Sequence, residues 1–133
     1  MLNRAKLDQL LDRYGSLVWN KWNAPEDAVY IGRGSLYGNP ILLSNPKDEE
    51  ERIECIDQFL VYLIGRLKSD AIFAGAVMSM KSKDVKCYCS NGRRSTADDA
   101  RYCHGLILLE AADLLHKHAL DETILILTDF RES

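Results

Sequence analysis

The sequence predicts a small Rossmann-like α/β domain, with a mainly parallel sheet flanked by helices, and three observations predict it. Segments with apolar residues at helical spacing recur along the chain, short β-branched apolar runs lie between them, and the two kinds alternate. A length of 133 residues closes one hydrophobic core and seldom two, so residues 1–133 read as a single domain.

The elements follow in order. Leu2, Leu7, Leu10, Leu11 and Tyr14 recur at helical spacing, so residues 3–14 form an amphipathic helix ended by Gly15. Leu17, Val18, Trp19 and Trp22 make a short strand-like run and Ala28 to Ile31 a second, with Asn23, Ala24, Pro25 and Glu26 as the turn between them. The segment after Ile31, GRGSLYGNP, carries three glycines, a serine, an asparagine and a proline, and reads as a loop.

Asn45 is a good N-cap, Pro46 suits the first helical position, and Asp48, Glu49 and Glu50 place negative charge where a helix dipole favours it. Ile53, Ile56, Leu60, Leu63 and Leu67 then present one apolar stripe over about six turns. After a Ser69-Asp70 break, Ile72, Phe73, Ala76, Val77 and Met80 predict a second helix with Gly75 inside it. Val85 to Cys89 reads as a strand and Leu106 to His118 as a helix. Thr123 to Thr128, TILILT, is continuously apolar and β-branched, and predicts a strand buried on both faces.

Composition narrows the function classes. With 17 Lys and Arg against 20 Asp and Glu, a net charge of -3, 47% hydrophobic and 28% charged residues, the chain is neither a disordered tail nor a basic nucleic-acid wrapper. No apolar run approaches the ~20 residues that span a bilayer, and MLNRAKLDQLLDRY is amphipathic rather than a leader, so a soluble cytoplasmic protein with no membrane partner is expected. Four cysteines in such a chain point to thiols or a metal rather than a disulfide framework.

Ligands of open α/β sheets sit at the carboxyl ends of the strands, which gathers GRGSLYGNP, the CYCSNGRR stretch and Thr128-Asp129 at one edge. There the amides of Gly32, Gly34 and Gly38 can approach an anion, Arg33 can hold a phosphate or carboxylate in a two-pronged contact, and Asn39 can donate and accept at once. The alternative is a surface turn with a solvated arginine, since neither a GxGxxG nor a Walker pattern is present.

Cys87 and Cys89 are two apart on a strand and point to one face, and Cys103 and His104 return later in the sequence. Together they have the ligand count of a Cys3His zinc site. Adjacent Cys103 and His104 and the one-residue gap between Cys87 and Cys89 fit a tetrahedral ion poorly, so zinc is kept as the alternative.

The preferred reading has Cys103 and His104 near a helix start, where the dipole and the imidazole favour a thiolate nucleophile, with Lys86, Arg93, Arg94 and Arg101 adding positive charge. A capping signal at Thr96-Ala97-Asp98-Asp99 would instead put Cys103 in the second turn. A third reading makes these buried strand cysteines and a helix-packing histidine. His116 and His118 near the helix end are dipole partners, and Cys55 lies within a helix.

The blocks VYIGRGSLYGNP, ERIECIDQFLVYL, KCYC and CHGLILLE, in that order, resemble the domain of unknown function 4326 family, found largely in phages and in bacteria carrying phage genes. The resemblance runs over about Ala28 to Leu115. Gly32, Arg33, Gly34, Gly38, Asn39 and Pro40 match the first block, Arg52 the second, Cys87 and Cys89 the third, and Cys103, His104 and Gly105 the fourth. This chain has Ile41 where the family usually has phenylalanine, and a longer connection between the last two blocks. The resemblance implies an α/β fold with a shared pocket and brings no reaction with it.

Two functions follow as expectations. One is a protein that handles a nucleotide or another phosphorylated small molecule, as an enzyme or as a binder, through Arg33, Asn39, Cys87, Cys89, Asp129, Cys103 and His104, with no cofactor other than the alternative zinc. The other is a phage-encoded protein that binds and modulates a host protein, motivated by the acidic net charge, the N-terminal amphipathic helix, Trp19 and Trp22, with the cysteine cluster structural or zinc-binding. Nucleic acid ranks third, because only the Arg93, Arg94 and Arg101 cluster supplies a basic face.

Overall fold

Three short parallel strands carry five helices in a computed structural model that describes residue 2 and residues 4–20, 24–41, 49–87 and 102–131. Helix α1, Arg4–Tyr14, turns Leu7, Leu10 and Tyr14 inward and passes through a 3-10 turn at Gly15–Leu17 into β1, Val18–Asn20. Strand β2 is Val29–Tyr30 and β3 is Val85–Cys87. The sheet order is β1-β3-β2, with Val85 beside both Val18 and Val29, so β3 is central and all three strands run the same way. That arrangement is the small α/β domain expected from the alternation of elements.

Helix α2, Glu49–Ser69, opens with Glu49, Glu50 and Glu51 and closes with Arg66 and Lys68, as its dipole favours. The expected cap at Asn45, Pro46 and Asp48 lies outside the described residues. Asp70 makes the break: one carboxylate oxygen accepts the Phe73 amide at 3.0 Å to start α3, Ala71–Met78, and the other takes Arg66 at 3.1 Å. Helix α4, His104–Lys117, is packed by all four other helices, and its residues 104–112 are all buried. No described helix is long and apolar enough to cross a membrane.

The TILILT strand is corrected by the structure: these residues lie in a fifth helix, α5, Leu120–Asp129. Thr123, Ile124 and Leu127 face the core at helical spacing while Leu125 is 66% exposed, which a strand buried on both faces would not permit. A six-residue apolar run cannot distinguish the two periods. The acidic pair Asp121 and Glu122 ahead of it, now in the first turn, was the local signal for a helix.

The two terminal helices are clamped to α2 through Asp57. Its carboxylate accepts the Leu2 amide at 2.9 Å and two bonds from Arg131, at 2.9 and 3.2 Å, and the Lys6 ammonium stands 4.3 Å above the Phe130 ring. Burial by itself raises the Asp57 pKa, but the Arg131 and Leu2 hydrogen bonds outweigh it and hold the carboxyl below the usual range. At the other end of α1 the Tyr14 hydroxyl lies 2.7 Å from Glu110 and 2.6 Å from Asp113 of α4; burial and these carboxylates push its pKa up.

Candidate functional site

The site begins where the parallel strands end. Beyond β2 the Ile31 amide still donates to the Lys86 carbonyl at 2.9 Å, and the chain then turns into the glycine loop. Ser35 closes the turn on the Gly32 carbonyl, through its amide at 3.1 Å and its hydroxyl at 2.6 Å, and the Gly38 amide donates back to Ser35 at 3.2 Å. A Cβ on Gly38 would stand 2.7 Å from the Gly32 oxygen, a main-chain atom with nowhere to go, so a glycine is required there. Gly34 takes a positive φ of 89°. The loop thus spends the Gly38 amide on itself instead of offering it to an anion.

Arg33 is exposed at the tip and makes no ion pair or side-chain hydrogen bond among the described residues. Asn39 is used structurally: its Oδ1 accepts the Ile41 amide at 2.9 Å, and its Nδ2 reaches the Cys55 carbonyl of α2 at 3.5 Å.

The other half of the site is the start of α4. Cys103 is the N-cap, and its Sγ accepts the Gly105 amide at 3.3 Å, so the helix begins at the cysteine rather than a turn earlier. The competing signal at Thr96-Ala97-Asp98-Asp99 lies outside the described residues. Gly105 lets the helix approach the sheet, since a Cβ there would be 2.8 Å from Ile31 Cδ1.

The His104 Nε2 lies 2.8 Å from the Ile31 carbonyl oxygen, and the ring meets Phe59 edge-on at 4.9 Å between centroids. A carbonyl can only accept, so Nε2 carries the proton. In the neutral ring Nδ1 is then the lone-pair nitrogen, and it faces Cys103 Sγ at 3.8 Å. On its other side Cys103 Sγ is 3.1 Å from Cys87 Sγ, at the end of β3. Cys87, Cys103 and His104 are all buried, with Cys103 1% exposed.

The structure therefore places Arg33, Cys87, Cys103 and His104 beyond the carboxyl ends of β2 and β3: Cys87, Cys103 and His104 form one buried cluster, and Arg33 follows two residues after the Ile31 carbonyl that His104 holds. Asn39 is tied to α2 beside them. Cys89, Arg93, Arg94 and Arg101 lie outside the described residues. Asp129 ends α5 rather than a strand, so the strand-end argument for it does not hold. His116 Nε2 is 2.9 Å from the Met78 carbonyl, and His118 stands 3.2 Å from Glu122.

Arg52, matched to the second block but given no role there, is buried in α2 and donates to the Tyr102 carbonyl at 3.3 Å, just before Cys103. Its sequence signal was a charge four residues before Ile56, on the apolar stripe. Tyr102 in turn holds Asp8 of α1, and burial and that carboxylate push its phenol up to about 12. No group of three or more described His, Cys, Asp or Glu residues is placed to hold a metal ion.

Loop, Arg52, Cys87 and Cys103-His104-Gly105 thus converge around the start of α4. Comparison with curated proteins and with solved structures gives no match. Over residues 17–114, which include every one of these blocks, the chain matches a family described as a domain of unknown function, and it belongs to that family, DUF4326.

Proposed function

We propose that this protein is a cytoplasmic phage-type protein that binds a nucleotide or another phosphorylated small molecule at this sheet edge. Arg33 takes the phosphate, and the Cys103-His104 step lies behind the loop as the chemically active pair. The observation that supports this most is the bond from His104 Nε2 to the Ile31 carbonyl, because it seats the buried thiol-imidazole pair against the backbone two residues before the exposed Arg33. Arg33 sits on a loop closed by its own hydrogen bonds, so little backbone ordering entropy is lost when it binds. If the bound molecule is also acted on, His104 Nδ1 is placed to accept the Cys103 thiol proton, and the Gly105 amide and the α4 dipole stabilise the thiolate left behind.

A thermal-shift and calorimetric screen against nucleotides and phosphosugars tests the reading. Arg33→Ala is expected to weaken the phosphate ligand more than Arg93→Ala and Arg94→Ala together, and the absence of any phosphorylated ligand for the wild-type protein would sink it. The zinc alternative, on Cys87, Cys89, Cys103 and His104, is less favoured. Two thiolates on one tetrahedral ion stand about 3.8 Å apart at ordinary zinc-sulfur distances, whereas these sulfurs are 3.1 Å apart. Metal analysis of the purified protein decides it.

The docking alternative, a host protein as partner, draws less support. The apolar residues Leu7 and Leu10 of α1 are buried in the chain's own core, and Trp19 donates to Asp84 at 3.0 Å. Trp22 lies outside the described residues.

A further inference from the structure

We infer that Cys87 and Cys103 are a reversible redox modification site, a thiol pair that a hydroperoxide closes into a disulfide. The inference goes beyond phosphate binding and does not depend on it. Their sulfurs, 3.1 Å apart, are closer than two sulfur atoms in ordinary van der Waals contact, and bond formation needs an approach of only about 1 Å to reach the ~2.0 Å of a disulfide. The two residues are sixteen apart in sequence and come from different elements, the end of β3 and the cap of α4, so tertiary packing built the pair.

The surroundings distinguish the two sulfurs. Cys103 Sγ receives the Gly105 amide at the start of a 14-residue helix and faces His104 Nδ1, which suits it to be the attacking thiolate, and Cys87 is the resolving thiol. Both are buried, which favours a small oxidant such as hydrogen peroxide over a bulky disulfide. In the first step the Cys103 thiolate attacks one peroxide oxygen; the S–O bond forms, the O–O bond breaks, and hydroxide leaves and is protonated to water. In the second, Cys87 Sγ attacks Cys103 Sγ; the S–S bond forms, the S–O bond breaks, and a second water leaves with the Cys87 proton. Two thiols are oxidised by two electrons and one peroxide is reduced to two waters. The product has no nucleophile at Cys103, so oxidation would silence any reaction there until a dithiol restores it.

The test is peroxide treatment of the wild-type full chain, alkylation of the remaining thiols, and peptide mapping by mass spectrometry, before and after dithiothreitol. The expected result is a Cys87–Cys103 cross-linked peptide in most chains, with Cys55 and Cys89 alkylated and the link fully reversed by reductant. Any of four results would overturn the inference: a Cys89–Cys103 link, Cys103 carried to sulfinic acid beside an alkylated Cys87, all four cysteines still alkylatable after peroxide treatment, or stoichiometric zinc that keeps these thiols from reacting. The Cys87→Ser chain, if it folds, should stop at Cys103 sulfenic acid. The wild-type map decides the question either way, and none of these outcomes bears on whether Arg33 binds phosphate.

Discussion

His104 Nε2 donates to the carbonyl of Ile31 across 73 residues of sequence, at 2.8 Å, and this one bond seats the start of α4 against the root of the glycine loop. His104→Phe keeps a ring against Phe59 but leaves that carbonyl unpaired in the interior. The expected cost is about 1–3 kcal/mol, the usual penalty for a buried acceptor deprived of its donor, read as a lower urea midpoint with an unchanged slope.

Glycines on this chain divide by what a Cβ would meet. Gly38→Ala forces a methyl group against the Gly32 main-chain oxygen and should destabilise by about 1–3 kcal/mol, the range for overpacking. Gly65→Ala and Gly75→Ala lie within helices α2 and α3 with nothing inside 4 Å, and each should stabilise by about 0.5–1 kcal/mol, the helix-propensity gain of alanine. Thermal melts of the three variants would reveal whether the signs differ as stated.

Thr123 is fully buried on α5, and its hydroxyl finds no hydrogen-bond partner among the described residues. Thr123→Val keeps the shape and removes the orphan oxygen, so it should raise stability by about 1 kcal/mol. Thr128, whose hydroxyl donates to the Ile124 carbonyl at 2.7 Å, is the control: Thr128→Val should give no such gain. A Thr123→Val melting temperature at or below wild type would refute this account.

Asp57 supplies a pH dependence with a definite sign. Its folded-state pKa is below that of the unfolded chain, so its contribution is complete above the unfolded value near 4 and is lost as pH falls through the lower folded value. Asp57→Asn should therefore cost about 1.5–3 kcal/mol at neutral pH, the range for hydrogen bonds to a charged group, and the gap to wild type should narrow below about pH 4. Chemical denaturation at several pH values measures it. A gap that is constant or that widens in acid would contradict the assignment.

Much of the helical architecture was legible in the sequence. The apolar spacing of Leu7, Leu10 and Tyr14 marked α1, that of Ile53 to Leu67 marked α2, and the Asp70 break was visible because a capping carboxylate acts over three residues. The glycine loop and its boundary at Ile31 were equally local. So were the residue types of the site, which the sequence determined by placing Arg33, Cys87, Cys103 and His104 at element ends.

What tertiary structure alone decided is pairing. Which strand lies in the middle, that TILILT joins a helix, that Asn39 is spent on Cys55, and that Arg52, Asp57 and Glu110 are buried charges with partners all depend on residues far apart in sequence. The physical reason is range: periodicity and capping are set within a turn or two of chain. The 3.1 Å between Cys87 and Cys103 exists only because α4, packed by every other helix, is pressed by Gly105 against the sheet edge where β3 ends.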